Sequence, residues 1–273
     1  MIPVLFHLGP LAIHSYGVLF ALSFAIGILL GIRRGEARGI SAADTTDLAL
    51  VILLGAIVGS RALYVIPHWS EFSGHPLGVL KVWEGGLTLF GGVILAAIGA
   101  WLFVKKKGLR WLSVADALAP SLALGLGLTR IGCFLNGCCY GKPTAGPLGV
   151  RFPSSSVASA TFPGQAVLAT QLIESAFGFF LFGALLLIEK RRPREGVPIR
   201  FLLLAYGLFR FTIDFFRYYE DAMQIRIGSF GALSVNQLVS LVAIGVGAWG
   251  LLSMRAAPRE RAAPASAGEP GGA

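Results

Sequence analysis

The sequence predicts an all-α, polytopic membrane protein with seven transmembrane helices, its N-terminus outside and its C-terminus in the cytoplasm. Three observations predict this. The 273-residue chain is 55% hydrophobic and only 14% charged, which is too apolar for a soluble domain of this length. Apolar stretches of about 20 residues, the length that crosses a bilayer, recur along it. Basic residues collect after every second stretch.

The first stretch, 14–33, opens on Tyr16 and Gly17 and closes at Arg33, Arg34 and Arg38. The second, 46–66, returns outward and carries Arg61 and Tyr64 near its outer end. The third, 86–104, opens after Trp83-Glu84 on a glycine-rich run and closes at Lys105–Lys107. The fourth, 114–135, is the weakest, because Pro120, Gly125, Gly127 and Gly132 interrupt it; neighbouring helices can satisfy backbone groups freed by such breaks. The fifth, 166–188, precedes Lys190, Arg191, Arg192, Arg194 and Arg200. The sixth, 198–218, carries Arg210, Asp214 and Arg217. The seventh, 234–253, opens on Ser234 and Gln237 and leads to Arg255, Arg259 and Arg261. Residues 1–254 read as one membrane domain, and 255–273, rich in Ala, Pro and Gly, as a disordered cytoplasmic tail. The first ten residues carry no Lys or Arg, so no cleavable signal peptide is expected.

The net charge of +9 does not point to nucleic acid. With seven alternating helices, 15 of the 23 basic residues fall on one side, the pattern of cytoplasmic loops. The expected partner is therefore a lipid bilayer. Four arginines stand apart from this tally: Arg61, Arg130, Arg210 and Arg217 lie within or at the ends of helices. Each costs about 2.5–3.5 kcal/mol at a helix centre, so a compensating role is expected.

The topology puts nearly every embedded polar residue in the outer half: Tyr16, Arg61, Arg130, Asn136, Gly137, Gln171, Glu174, Arg210, Asp214 and Arg217. Arg210, Asp214 and Arg217 are spaced i, i+4, i+7, which predicts one helical stripe with a positive excess. A cationic pocket open to lipid suits a phosphate head group, which Arg binds through paired hydrogen bonds. Simpler readings exist for several of these residues. Arg61 and Arg130 can snorkel to head groups, Tyr16 can belong to an interfacial belt, and the Arg210 stripe can be a structural ion-pair network. Gly85, Gly86, Gly91 and Gly92 can serve close helix packing. His68 and His75 fall in an outer loop and read as solvated.

Cys133, Cys138 and Cys139 lie within seven residues. With no nearby His they match no closed four-ligand zinc pattern, so no metal and no cofactor is expected. A disulfide between Cys133 and either neighbour, or plain packing, remains open at this point.

The run Thr129-Arg-Ile-Gly-Cys-Phe-Leu-Asn-Gly-Cys-Cys-Tyr-Gly141 resembles the Gly-Arg-Ile-Gly-Asn-Phe-Ile-Asn-Gly signature of the bacterial prolipoprotein diacylglyceryl transferases. Gly9–Gly17, Gly59–Tyr64, Trp83–Gly86, Gln171–Glu174 and Tyr206–Arg217 are similar to other segments of that family, in the same order. The resemblance implies transfer of a diacylglyceryl group from phosphatidylglycerol to the lipobox cysteine thiol of a preprolipoprotein, with glycerol phosphate released. It implies Arg130 and Arg210 as the essential arginines. Tyr16, Arg61, Asn136, Gly137, Gly141, Gln171, Glu174, Asp214 and Arg217 would complete the substrate site.

Three positions depart from the family pattern. Phe90 stands where a His is usual, Cys133 where an Asn is usual, and Leu168 replaces a second His. Phe cannot accept a proton, so the base becomes the open question. Glu84, Glu174 and Asp214 are the remaining candidates, with Tyr16 as a hydrogen-bonding partner. The favoured alternative needs no base, because the cationic pocket itself lowers the pKa of the incoming thiol. A catalytically inactive paralogue that binds lipid or lipoprotein is the competing reading. A transporter fits poorly, since no repeat with matching broken helices is visible.

Overall fold

A computed structural model describes residues 4–8, 11–82, 85–191, 193–219, 224–226 and 232–256. Trp83, Glu84, Arg192, Arg259, Arg261 and the rest of the 257–273 tail lie outside the described residues.

The chain opens with a short antiparallel hairpin, β1 (Val4–Leu8) and β2 (Leu11–His14), that leads directly into α1 (Ser15–Glu36). Ser41 caps α2 (Ala42–Val65) by accepting from the Asp44 amide, which satisfies an otherwise orphaned donor. A loop containing α3 (Trp69–Phe72) and a 3₁₀ turn at Pro76–Leu80 precedes α4 (Leu89–Lys106). Next comes α5 (Trp111–Asn136), followed by a folded excursion built from β3 (Gly149–Arg151), α6 (Val157–Thr161) and β4 (Ala166–Leu168). The chain then forms α7 (Thr170–Lys190), α8 (Val197–Ile213), the hairpin β5 (Gln224–Arg226) and β6 (Ala232–Ser234), and α9 (Val235–Ala256).

The protein is a mostly helical, multi-pass membrane architecture. Among the described residues, six helices are long and apolar enough to cross a bilayer: α1, α2, α4, α5, α7 and α9. At 17 residues α8 is shorter than these. The described residues are mostly helical, as expected, with three short two-stranded sheets beside the helices. The sequence reading differs from the structure in two places. The weakest expected span, α5, is one unbroken helix of 26 residues with Pro120 inside it. The sixth helix ends at Ile213, short of the expected 218.

In the core, α1 packs on α5, α5 on α7, α2 on α4, and α8 on α9. Small residues make these approaches possible, because packing rather than hydrophobic segregation holds helices together in lipid. A Cβ on Gly59 would collide with the Gly91 carbonyl, and one on Gly91 with the Gly59 carbonyl. Backbone meets backbone there between α2 and α4.

The two ends of the bundle differ in chemistry. At one end Arg34 and Arg38 pair with Glu189, Lys107 with Asp44, and Arg110 with Glu195. Asp116 accepts from the amides of Gly196 at 2.6 Å and Ile199 at 3.0 Å, which docks the start of α8 onto α5. Arg194 and Arg200 reach Met254 near the end of α9. The basic loops after α1, α4 and α7 therefore gather at one end. The other end holds the excursion between α5 and α7, with its own apolar cluster of Tyr140, Phe152, Ala158 and Val167.

Candidate active site

Glu174, one turn into α7 and fully buried, is the hub of the polar cluster. Its Oε2 lies 2.9 Å from Arg130 Nε and 3.1 Å from Arg210 Nη1, and its Oε1 lies 3.0 Å from Arg217 Nη1. The ends of α5 and α8 and the turn after α8 thus deliver three guanidiniums to one carboxylate. A buried carboxylate is tolerated when its lone pairs are filled in this way.

Asp214 forms the second node. Its Oδ1 accepts from Arg210 at 2.9 Å and from the Tyr219 hydroxyl at 2.8 Å, and its Oδ2 accepts from Ser234. Ser234 also caps α9 reciprocally with Gln237: the Gln237 amide donates to Ser234 Oγ, and the Ser234 amide to Gln237 Oε1. Tyr219 accepts in turn from Arg210 at 2.6 Å and Asn236 at 3.1 Å. Burial pushes its hydroxyl up to about 12, so it remains a neutral donor at working pH. Three arginines against two carboxylates leave the cluster positive. The Nε of Arg217 is buried with no hydrogen-bond partner among the described residues.

Arg130 reaches this place because α5 runs unbroken to Asn136 and stops at Gly137, whose φ of 70° is the left-handed conformation that ends helices. The Cys138 amide then bonds the Cys133 carbonyl at 3.1 Å. A Cβ on Gly137 would strike Ser156. Gly141 passes between Phe216 and Leu168 and forms an isolated antiparallel bridge with Arg217. Gln171 and Thr170, both fully buried, hold the carbonyls of Cys138 at 2.8 Å and Cys139 at 3.0 Å. The signature loop is thereby pinned to α7.

The structure brings together Arg130, Glu174, Arg210, Asp214 and Arg217, and ties Asn136, Gly137, Gly141 and Gln171 to their supporting loop. Arg217 does not share a helical stripe with Arg210, because α8 has ended; a turn returns it to Glu174. Arg61 goes elsewhere. It donates to the carbonyls of Val79, Gly78, Gly85 and Gly86 and stacks near Tyr64 and Phe72, so it braces the loop after α2. Tyr16 begins α1, half-exposed, and its backbone packs against Gly132. His68 is not simply solvated: it stacks on Tyr64 and bonds the Tyr64 carbonyl. Phe90 is exposed near the start of α4. Of the three base candidates, Glu84 lies outside the described residues. All four carboxylate oxygens of Glu174 and Asp214 are occupied.

Tyr219, Ser234 and Asn236 were missed as site residues. They sit beyond the end of α8 or at the start of α9, and only the spatial return of the chain assembles them. All three cysteines are free. Hydrogen bonds from the Cys133 and Cys138 thiols push the Cys139 thiol down, against the effect of burial. An apolar cavity of about 270 Å³ lies between α1, α2 and α5, lined by Phe20, Phe24, Ile52, Leu118 and Leu122, and reaches Thr129, the residue before Arg130.

The chain is similar to known proteins over most of its length. The family described as prolipoprotein diacylglyceryl transferase matches residues 3–253. A phosphatidylglycerol–prolipoprotein diacylglyceryl transferase of Coxiella burnetii is 38% identical over 258 residues, 91% of this chain and 94% of the relative. A protein of the same name from Clostridium tetani is 35% identical, covering 90% and 95%. One from Bacillus licheniformis is 32% identical, covering 89% and 88%. The arginine-rich cluster, the loop that carries Arg130 and nearly the whole length of the chain thus fall within one match: the chain belongs to the prolipoprotein diacylglyceryl transferase family.

Proposed function

We propose that this chain transfers a diacylglyceryl group from phosphatidylglycerol to the lipobox cysteine thiol of preprolipoproteins. The reaction takes place at the outer face of the inner membrane, and α8 serves as the seventh span. The observation that carries the reading is the convergence of Arg130, Arg210 and Arg217 on the single carboxylate of Glu174. Such a cluster holds a positive surplus at one end of a lipid-embedded bundle, where a phosphodiester is the natural anion. The apolar cavity that reaches Thr129 offers acyl chains a place beside it.

In the reaction the substrate thiolate attacks the glyceryl carbon that bears the phosphate. A C–S bond forms, the C–O bond to phosphate breaks, and glycerol phosphate leaves with the electron pair. The developing phosphate charge faces the guanidiniums, whose interaction strengthens as the bond breaks. The thiol proton passes to solvent. Glu174 and Asp214 are poorly placed to take it, since arginines, Tyr219 and Ser234 fill their oxygens. This supports thiolate supply by the cationic field over a dedicated base.

Phe90 is the observation that favours a second reading, a lipid-binding relative without transfer. The purified chain in phosphatidylglycerol nanodiscs with a lipobox peptide separates the two. Thioether product supports the enzyme; phospholipid binding without product at any pH supports the binding protein.

A further inference from the structure

We propose that Cys133, Cys138 and Cys139 form a three-thiolate site for a thiophilic d10 cation, and that monovalent copper is its ion. The transferase chemistry above uses none of these thiols.

The three sulfur atoms lie within 4.8 Å of one another. Trigonal coordination with metal–sulfur bonds of about 2.3 Å needs separations of about 4 Å, so small side-chain rotations complete the site. The backbone holds the sulfurs together. Gly137 ends α5 in the left-handed region, and Cys139, a non-glycine residue, is held there too at a φ of 62°. The carbonyls of Cys138 and Cys139 are clamped by the fully buried Gln171 and Thr170. Beside the same loop, Gln171 Oε1 is buried with no partner among the described residues.

The donor set selects the ion. Three sulfurs with no imidazole or carboxylate among them suit a soft cation. Zinc in structural sites takes four protein ligands, whereas three thiolates satisfy monovalent copper. The earlier expectation of no metal rested on the missing fourth ligand, a requirement of zinc. Copper(I) with three thiolates carries two negative charges. Arg130, whose Nη1 lies 3.8 Å from Cys133 Sγ, faces that charge. On binding, three S–H bonds break, three Cu–S bonds form, and the protons go to solvent with no change of oxidation state.

These are the only three cysteines in the chain, so thiol counting is unambiguous. The test uses the full chain in detergent, reduced and without oxygen, with copper(I) supplied as its bathocuproine disulfonate complex. Equimolar copper in the recovered protein, sulfur-only coordination by X-ray absorption, and loss of iodoacetamide labelling at all three positions are expected. Cys138→Ser/Cys139→Ser should lose the copper. The labelling arm needs only the unaltered chain, so a misfolded variant cannot obscure the answer. No copper taken from the chelator, or three thiols labelled as fast with copper as without, would overturn the site. Retention of zinc in preference to copper would overturn the assignment of the ion. Every readout is independent of diacylglyceryl transfer.

Discussion

The Nε of Arg130, at the end of α5, lies 2.9 Å from Oε2 of Glu174 on α7. This pairing joins the signature loop to the helix that carries the hub of the cluster. It also gives a reason for a glutamate at the centre of the proposed phosphate site: without an anion, three clustered arginines need a partner.

Glu174→Ala should therefore cost both stability and activity. Breaking a buried charge pair from one side typically costs about 3–5 kcal/mol. A lower unfolding temperature in nanodiscs, with loss of transfer, is the expected result. Glu174→Gln keeps the shape and should be better folded than Glu174→Ala while still misplacing Arg130 and Arg210.

Asp116 tests the opposite end of the bundle. It accepts two amides at the start of α8, and hydrogen bonds to a charged group contribute about 1.5–3 kcal/mol each. Asp116→Ala should destabilise the protein in thermal unfolding and lower expressed amounts. The Michaelis constant for phosphatidylglycerol should stay near the wild-type value, because the residue is remote from Glu174.

The proton route has a pH signature. If the cationic field supplies thiolate, transfer should rise with pH until the substrate thiol is ionised, below its usual value of about 8.5. A carboxylate base would instead give an acid limb that Asp214→Asn abolishes. Phe90→His should leave the profile unchanged under the first route, and should raise activity if the histidine usual at this position serves as the base.

Membrane orientation follows from the loop charges. A reporter fused after Lys107 should behave as cytoplasmic and one in the 67–81 loop as periplasmic. The reverse outcome would place the Glu174 cluster on the wrong side for secreted substrates.

Much of this was legible in the sequence, for identifiable reasons. Hydropathy located α1, α2, α4, α5, α7 and α9 to within a few residues, because bilayer thickness imposes their length. Embedded charge picked out Arg130, Arg210, Asp214 and Arg217, because desolvation makes such residues rare without a role. Glu174 was seen as a site residue but not as the hub, since contacts between α5, α7 and α8 leave no periodic trace. Arg61 carries the same hydropathic signal as Arg130. Only the loop at 78–86 reveals that its donors are taken by carbonyls. The folded excursion at 137–169 escaped notice because its strands are three residues long.

The central claim is that Arg130 and Arg210 hold the lipid phosphate during transfer. Its most direct measurement is transfer from labelled phosphatidylglycerol to a lipobox peptide by Arg130→Ala, Arg130→Lys, Arg210→Ala and Arg210→Lys, each verified as folded in the membrane. The account predicts no detectable product from either Ala variant and poor rescue by Lys, because an ammonium lacks the planar fork of donors. Wild-type rates from either Ala variant would contradict it.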